Sequence, residues 1–148
     1  MSNSPFPVVF FDLGKTLVTS SRAWMPGAQE ALAQLHQAGV HLGIISNTDG
    51  LDRQALLALL PVDFDVGLFD EHLVLLSSEV GHKKPELTIF RMAVERAGVA
   101  PTPCLFCTDD LLEALAAQQT GMRAARVATP GDMEHLIPTL EALLSLGS

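Results

Sequence analysis

Val8-Val9-Phe10-Phe11-Asp12-Leu13-Gly14-Lys15-Thr16 carries most of the architectural information in this chain. Its first four residues form an unbroken apolar run, the pattern of a strand buried on both faces. The run ends at a carboxylate, Asp12, and a polar turn containing glycine. Apolar runs recur at residues 40–45, 73–76, 104–107 and 124–127. Helical patterns alternate with them. Residues 26–38 place Pro26 in a first turn, a stripe at Ala28, Leu32 and Leu35, and Gly39 at the end. Residues 52–60 form a shorter helix stopped by Pro61, residues 85–97 a helix followed by Gly98, and residues 111–120 a helix followed by Gly121. Residues 132–146 read as a final helix with a possible break at Pro138. Strands that are continuous apolar runs and alternate with helices predict an α/β protein. Its core is a three-layer, Rossmann-like, doubly wound parallel sheet.

Composition fits that class. The chain has 148 residues, about one domain's worth, and is read as a single domain over residues 1–148 with a loose arm over 1–6. At this size roughly 68–70% of the unfolded surface is buried, enough for a core without staples. Hydrophobic residues are 48% and charged residues 18%, which excludes a disordered tail or a fibrous repeat. No apolar run reaches the ~18–20 residues of a bilayer-crossing helix, and the N-terminus lacks a basic flank and an apolar signal core. A cytoplasmic protein without a membrane partner is expected. The net charge of −8 argues against nucleic acid as a partner, because phosphate backbones select a basic surface.

In such sheets ligands bind at the carboxyl ends of the strands. Asp12-Leu13-Gly14-Lys15-Thr16 follows the first strand, and Ser46-Asn47-Thr48-Asp49-Gly50 the second. His82-Lys83-Lys84-Pro85 precedes the third long helix, and Thr108-Asp109-Asp110 follows the fourth strand. The set suits phosphoryl chemistry. Asp12 can attack phosphorus. Asp12 and Asp109 can share a hard cation such as Mg²⁺. Ser46 and the Asn47 amide can hold phosphate oxygens, and Lys84 can neutralise their charge. Any one of these residues alone is better read as a turn or cap residue. Their occurrence in order at successive strand ends is not.

The four clusters resemble the haloacid dehalogenase (HAD) superfamily of phosphohydrolases. The matching pieces are Phe11-Asp12-Leu13-Gly14-Lys15-Thr16-Leu17-Val18, Ile45-Ser46-Asn47, Glu79-Val80-Gly81-His82-Lys83-Lys84-Pro85-Glu86, and Asp109-Asp110 followed by Gly121-Met122. The resemblance covers roughly residues 7–128. It implies Mg²⁺ and an aspartyl-phosphate intermediate. Asp12 is then nucleophile and metal ligand, and Ser46 the phosphate-binding hydroxyl. Lys84 is the charge-stabilising lysine, with Lys83 the alternative. Gly14 is a ligand through its backbone carbonyl. Asp109 is the second carboxylate ligand, with Asp110 the alternative, and Glu113 stands where a further acid often lies. The segment from Thr16 to Ser46 holds little beyond one helix, so the resemblance is to members without a large cap domain.

The first motif departs from the family's Asp-x-Asp-Gly-Thr. Gly14 replaces the second Asp, the general acid and base, and Lys15 replaces the Gly. Losing such a group typically costs ~10²–10⁴-fold in rate. One expectation is a weak phosphohydrolase limited to good leaving groups, such as acyl or aryl phosphates. The other is a catalytically impaired relative that binds a phosphate ligand or a protein partner. Gly14-Lys15-Thr16 also imitates the end of a Walker A motif, but that motif needs Gly where the chain has Val9.

The remaining candidates read as structure. Cys104 and Cys107 lie three apart on a strand, so they face opposite sides and read as buried core thiols. His36, His41, His72, His82 and His135 share no metal spacing. Trp24 reads as packing on the core. The Leu136, Ile137, Leu140, Leu143 and Leu144 stripe packs on the sheet or forms a dimer helix, so monomer and homodimer both stand.

Overall fold

The structure, a computed structural model, describes residues 8–127. The expected arm over 1–6 and final helix over 132–146 lie outside the described residues. Five strands form one parallel sheet: β1 (Val8–Phe11), β2 (His41–Ser46), β3 (Val74–Leu76), β4 (Cys104–Thr108) and β5 (Arg123–Arg126). The strand order is β3-β2-β1-β4-β5, with every neighbouring pair parallel. The chain therefore starts at the centre and winds outward in both directions. The order reverses beside β1, the place where such sheets bind ligands.

Alternation along each strand divides the core in two. Val9, Phe11, Leu42, Ile44, Leu105 and Cys107 face helix α1 (Ala28–Gln37) through Ala28, Ala31, Leu32 and Leu35. Val8, Phe10, Ile45, Cys104 and Phe106 face the other way. They meet Ile89, Phe90 and Ala93 of a helix at Leu87–Ala97, and Ala116 and Ala117 of another at Leu111–Gln119. The two cysteines thus lie on opposite faces, both unpaired and buried. Burial pushes the Cys104 thiol up to about 11 and the Cys107 thiol higher still, so neither is a ready nucleophile or metal ligand. Gly43 is required by packing: a Cβ there would lie 2.6 Å from the Leu73 carbonyl oxygen and 2.6 Å from the Phe10 ring.

Some boundaries differ from the sequence reading. The helix expected over 52–60 is confined to α2 (Arg53–Leu57); its start is set by the cap Asp52, accepting from the Ala55 N–H at 2.7 Å. The short helix α3 (Ser77–Val80) was not expected. The two long helices after it are α4 (Leu87–Ala97) and α5 (Leu111–Gln119). The segment after Asp12 forms no helix. It folds through bridges from Gly14 to Val18 and from Val18 to Trp24. Trp24 then stacks on Phe64 (5.2 Å between centroids), and Phe64 on Phe69 (5.7 Å). Among the described residues no strand connection carries a cap domain, and no helix is long and apolar enough to cross a membrane.

Candidate active site

Asp12 is the first residue past β1, the central strand, and is buried. Its N–H donates to the Cys107 carbonyl at 3.0 Å, continuing the β1–β4 ladder one step beyond β1. The carboxylate is therefore fixed by backbone pairing on the strand it terminates. Its Oδ1 accepts from the Leu13 N–H at 2.8 Å and lies 2.7 Å from the Lys84 Nζ.

Lys84 is the pivot of the site. Its side chain is 1% exposed, and its ammonium also lies 2.9 Å from Glu113 Oε1. A buried ammonium is costly unless paired; two carboxylates meet that demand here. The ammonium sits 5.5 Å from the Phe106 ring centroid, over the ring. The Lys84 backbone is held separately. Its N–H donates to Asn47 Oδ1 at 2.8 Å, and its carbonyl accepts from Asn47 Nδ2 at 3.0 Å. One amide side chain after β2 thus positions the lysine that reaches the residue after β1. Lys83 is exposed and makes no contact with Asp12.

Thr108, fully buried at the end of β4, adds a connection the sequence reading missed, because that strand was ended at Cys107. Its Oγ1 lies 3.1 Å from Glu113 Oε1 and 3.4 Å from Asp12 Oδ2, and accepts from the Asp110 N–H at 3.2 Å. A hydroxyl at the last residue of an apolar strand was the available signal. Thr16 adds a second such connection. Its buried Oγ1 accepts from the Asp109 N–H at 3.1 Å, joining the first and fourth clusters.

The other expected residues fall at the same sheet edge. Ser46 ends β2 and is buried. Gly14 and Lys15 are exposed in the turn after Asp12. Asp109 is half-exposed, and its carbonyl accepts from Arg126 Nε at 3.1 Å. Asp110 is exposed and caps α5, accepting from the Glu113 N–H at 3.0 Å. One of its carboxylate oxygens is therefore occupied.

Electrostatics separate the acids. Burial pushes the Asp109 carboxyl above its ordinary range, the charge of Asp12 adds to the push, and the Lys15 ammonium opposes it. Burial also raises Glu113, against the lowering influence of Lys84. The charge of Asp12 thus repels that of Asp109, and Lys15 offsets part of the repulsion.

Lys15 has φ 64°, in the left-handed region that favours glycine. Its N–H donates to the Val18 carbonyl at 2.8 Å, which holds the turn. Gly14 is different. It lies outside that region, and a Cβ built on it meets no heavy atom within 4 Å. The backbone at position 14 therefore accepts a side chain.

Comparison with known proteins shows the family and the fold. A family model described as haloacid dehalogenase-like hydrolase matches residues 12–121. Enolase-phosphatase E1 of Frankia alni is 34% identical over 106 residues, covering 72% of this chain and 44% of that protein. The haloacid dehalogenase-like hydrolase domain-containing protein 3 of Mus musculus is 33% identical over 132 residues, covering 81% of this chain and 50% of that one. The chain thus spans half or less of the length of these relatives. Among solved structures, an uncharacterized protein from Listeria monocytogenes superposes with a TM-score of 0.74 at 22% identity, covering 95% of this chain and 98% of the other. A HAD-superfamily hydrolase from Geobacter sulfurreducens superposes at 0.71 with 16% identity, covering 90% and 99%.

Proposed function

Since the chain belongs to the haloacid dehalogenase-like hydrolases, we propose that it is a Mg²⁺-dependent phosphohydrolase that works through an aspartyl-phosphate on Asp12. The observation that carries this reading is the buried Asp12 at the carboxyl end of the central strand, 2.7 Å from a buried lysine ammonium. A carboxylate held this way is oriented for attack without being quenched, because Glu113 shares the same lysine.

The donor set suits the cation. Asp12, the Gly14 carbonyl and Asp109 would hold it. All are hard oxygen donors, and Mg²⁺ binds through few carboxylates while keeping water and phosphate oxygens. The upward push on Asp109 from Asp12 is the charge conflict that a divalent cation relieves. Among the described residues no three His, Cys, Asp or Glu side chains form a metal cluster. Bound there, Mg²⁺ supplies charge neutralisation for the phosphoryl oxygens and the nucleophile.

The chain's own groups divide the remaining work. Ser46 and the Asn47 backbone amide hold phosphate oxygens at the end of β2. Lys84 offsets negative charge as phosphorus is attacked. Asn47, Thr108 and Glu113 hold Lys84 and Asp12 in register. The step without a residue is protonation of the leaving group, because Gly14 has no carboxyl. Good leaving groups are therefore favoured, and turnover is slow. The net charge of −8 favours a small phosphorylated substrate or a protein over nucleic acid.

Gly14 also favours a second reading, a catalytically impaired module that retains the phosphate pocket to bind a phosphorylated ligand or a protein. Aryl-phosphate hydrolysis with Mg²⁺ separates the two. An active wild type silenced by Asp12→Asn supports the hydrolase. A silent wild type supports the binding module. Mass spectrometry after acetyl phosphate and Mg²⁺ adds a direct readout: the hydrolase reading requires a phosphoryl adduct that Asp12→Asn abolishes.

A further inference from the structure

Among the described residues, the Lys15 ammonium makes no hydrogen bond and no ion pair at contact distance. The residue is exposed, and its backbone stands at φ 64°, where glycine rests freely and a side chain is strained. Two other non-glycine residues share that region. Asp49 is of the type that tolerates it, and Arg22 has a use for its side chain, donating Nε–H to the Leu60 carbonyl at 3.4 Å. Neither account serves Lys15. Strain of this kind persists only where the surroundings hold it, and it gathers at functional positions.

The surroundings of Lys15 are specific. Its N–H donates to the Val18 carbonyl at 2.8 Å, and the other end of the same peptide is the Gly14 carbonyl. Thr16, the next residue, accepts from the Asp109 N–H through Oγ1 at 3.1 Å. The Lys15 backbone is therefore fixed beside two of the three groups that would hold a cation, the Gly14 carbonyl and Asp109. Neighbouring positive charges are committed elsewhere. Lys84 lies 2.7 Å from Asp12 Oδ1 and 2.9 Å from Glu113 Oε1. Arg126 gives its Nε–H to the Asp109 carbonyl, not to the carboxylate. Lys15 is within electrostatic reach of that carboxylate: burial and the charge of Asp12 raise the Asp109 carboxyl, and the Lys15 ammonium lowers it.

We propose that Lys15 is a resident counter-charge that sets the ionic preference of the site, opposing Mg²⁺ at Asp12, Gly14 and Asp109 and favouring phosphate at Ser46 and Asn47. This rests on the reading of those residues as cation and phosphate ligands. The ammonium keeps its proton throughout and acts by charge alone. A single and a double positive charge several ångströms apart in a water-like surrounding repel enough to shift an affinity about tenfold. The same ammonium attracts a phosphate dianion. The two effects have opposite signs, which separates a charge effect from a damaged fold, since damage weakens both ligands.

Two variants of the full chain test this. Lys15→Met removes the charge and keeps a side chain at the strained φ, and Lys15→Arg keeps the charge. Amide NMR follows the Gly14, Thr16 and Asp109 signals during titration with MgCl₂, then with inorganic phosphate at saturating Mg²⁺. Melting curves establish folding. Lys15→Met should bind Mg²⁺ about tenfold more tightly than the wild type and phosphate several-fold more weakly. Lys15→Arg should match the wild type on both. The differences should shrink as salt is raised, because the charge is exposed. Unchanged affinities, shifts of the same sign for both ligands, or differences indifferent to salt overturn the inference. Asp12→Asn tests the underlying reading separately. If Mg²⁺ binding survives Asp12→Asn unchanged, the ion sits elsewhere and both the site reading and this inference fail. If Asp12→Asn abolishes it and Lys15→Met alters nothing, the site reading stands and only this inference fails.

Discussion

Gly14→Asp should increase activity. The residue lies outside the left-handed region and a Cβ there meets nothing within 4 Å, so aspartate enters without backbone strain or a clash. The new carboxyl stands two residues beyond Asp12, in the turn held by the Lys15 N–H to the Val18 carbonyl. A positioned general acid contributes typically ~10²–10⁴-fold, equivalent to roughly 3–5 kcal/mol of barrier. The gain should grow as the leaving group worsens, being smallest for p-nitrophenyl phosphate and largest for a simple alkyl phosphate. A third carboxylate beside Asp12 and Asp109 also adds repulsion, on the order of 1 kcal/mol for charges a few ångströms apart in a water-like surrounding. The variant should therefore melt a few degrees lower in chelator and recover with Mg²⁺. The assay is steady-state hydrolysis of an aryl–alkyl phosphate series by wild type, Gly14→Asp and Asp12→Asn, with melting curves to establish folding. A folded Gly14→Asp protein with no gain on any ester would refute the reasoning. The turn would then not aim position 14 at the leaving group, and the site would be more than one carboxyl away from its relatives.

Lys84→Met should abolish activity and lower thermal stability, because removing the shared partner of a buried ion network costs about 3–5 kcal/mol; calorimetry checks this, and an unchanged melting temperature would contradict the pairing with Asp12 and Glu113. Lys15→Gly should raise stability by about 1 kcal/mol, since φ 64° burdens any side chain, as read by urea unfolding. Gly43→Ala should destabilise by about 1–3 kcal/mol through overpacking against Phe10 and the Leu73 carbonyl, measured the same way. In chelator, stability should fall as pH rises from the ordinary carboxylate range, because burial raises Glu113 and the unfolded chain then releases its proton first. Glu113→Gln should flatten that part of the pH–stability curve, and an unaltered slope would assign it elsewhere.

What the sequence revealed and what it hid have separate physical causes. Strands buried on both faces must be apolar throughout, so the runs at residues 8–11 and 104–107 announce themselves, and a parallel sheet must place its chemistry where those runs stop. The positions of Asp12, Ser46, Lys84 and Asp109 were therefore legible, since each adjoins a readable element. Thr108 was not, because a buried threonine at a strand end has the same local pattern as one that merely completes the ladder. The stack of Trp24 on Phe64, which stacks in turn on Phe69, joins segments about forty residues apart, and no periodicity within either segment encodes it. The same limit applies to Asn47. Its place after β2 was visible, but not its two bonds to the Lys84 backbone. Those bonds make the position of Lys84 depend on a residue that need not touch phosphorus. Any substitution at Asn47 should therefore act on the Asp12–Lys84 pair as strongly as on the phosphate. The site is better understood as one hydrogen-bonded unit across β1, β2 and β4 than as four motifs that happen to meet.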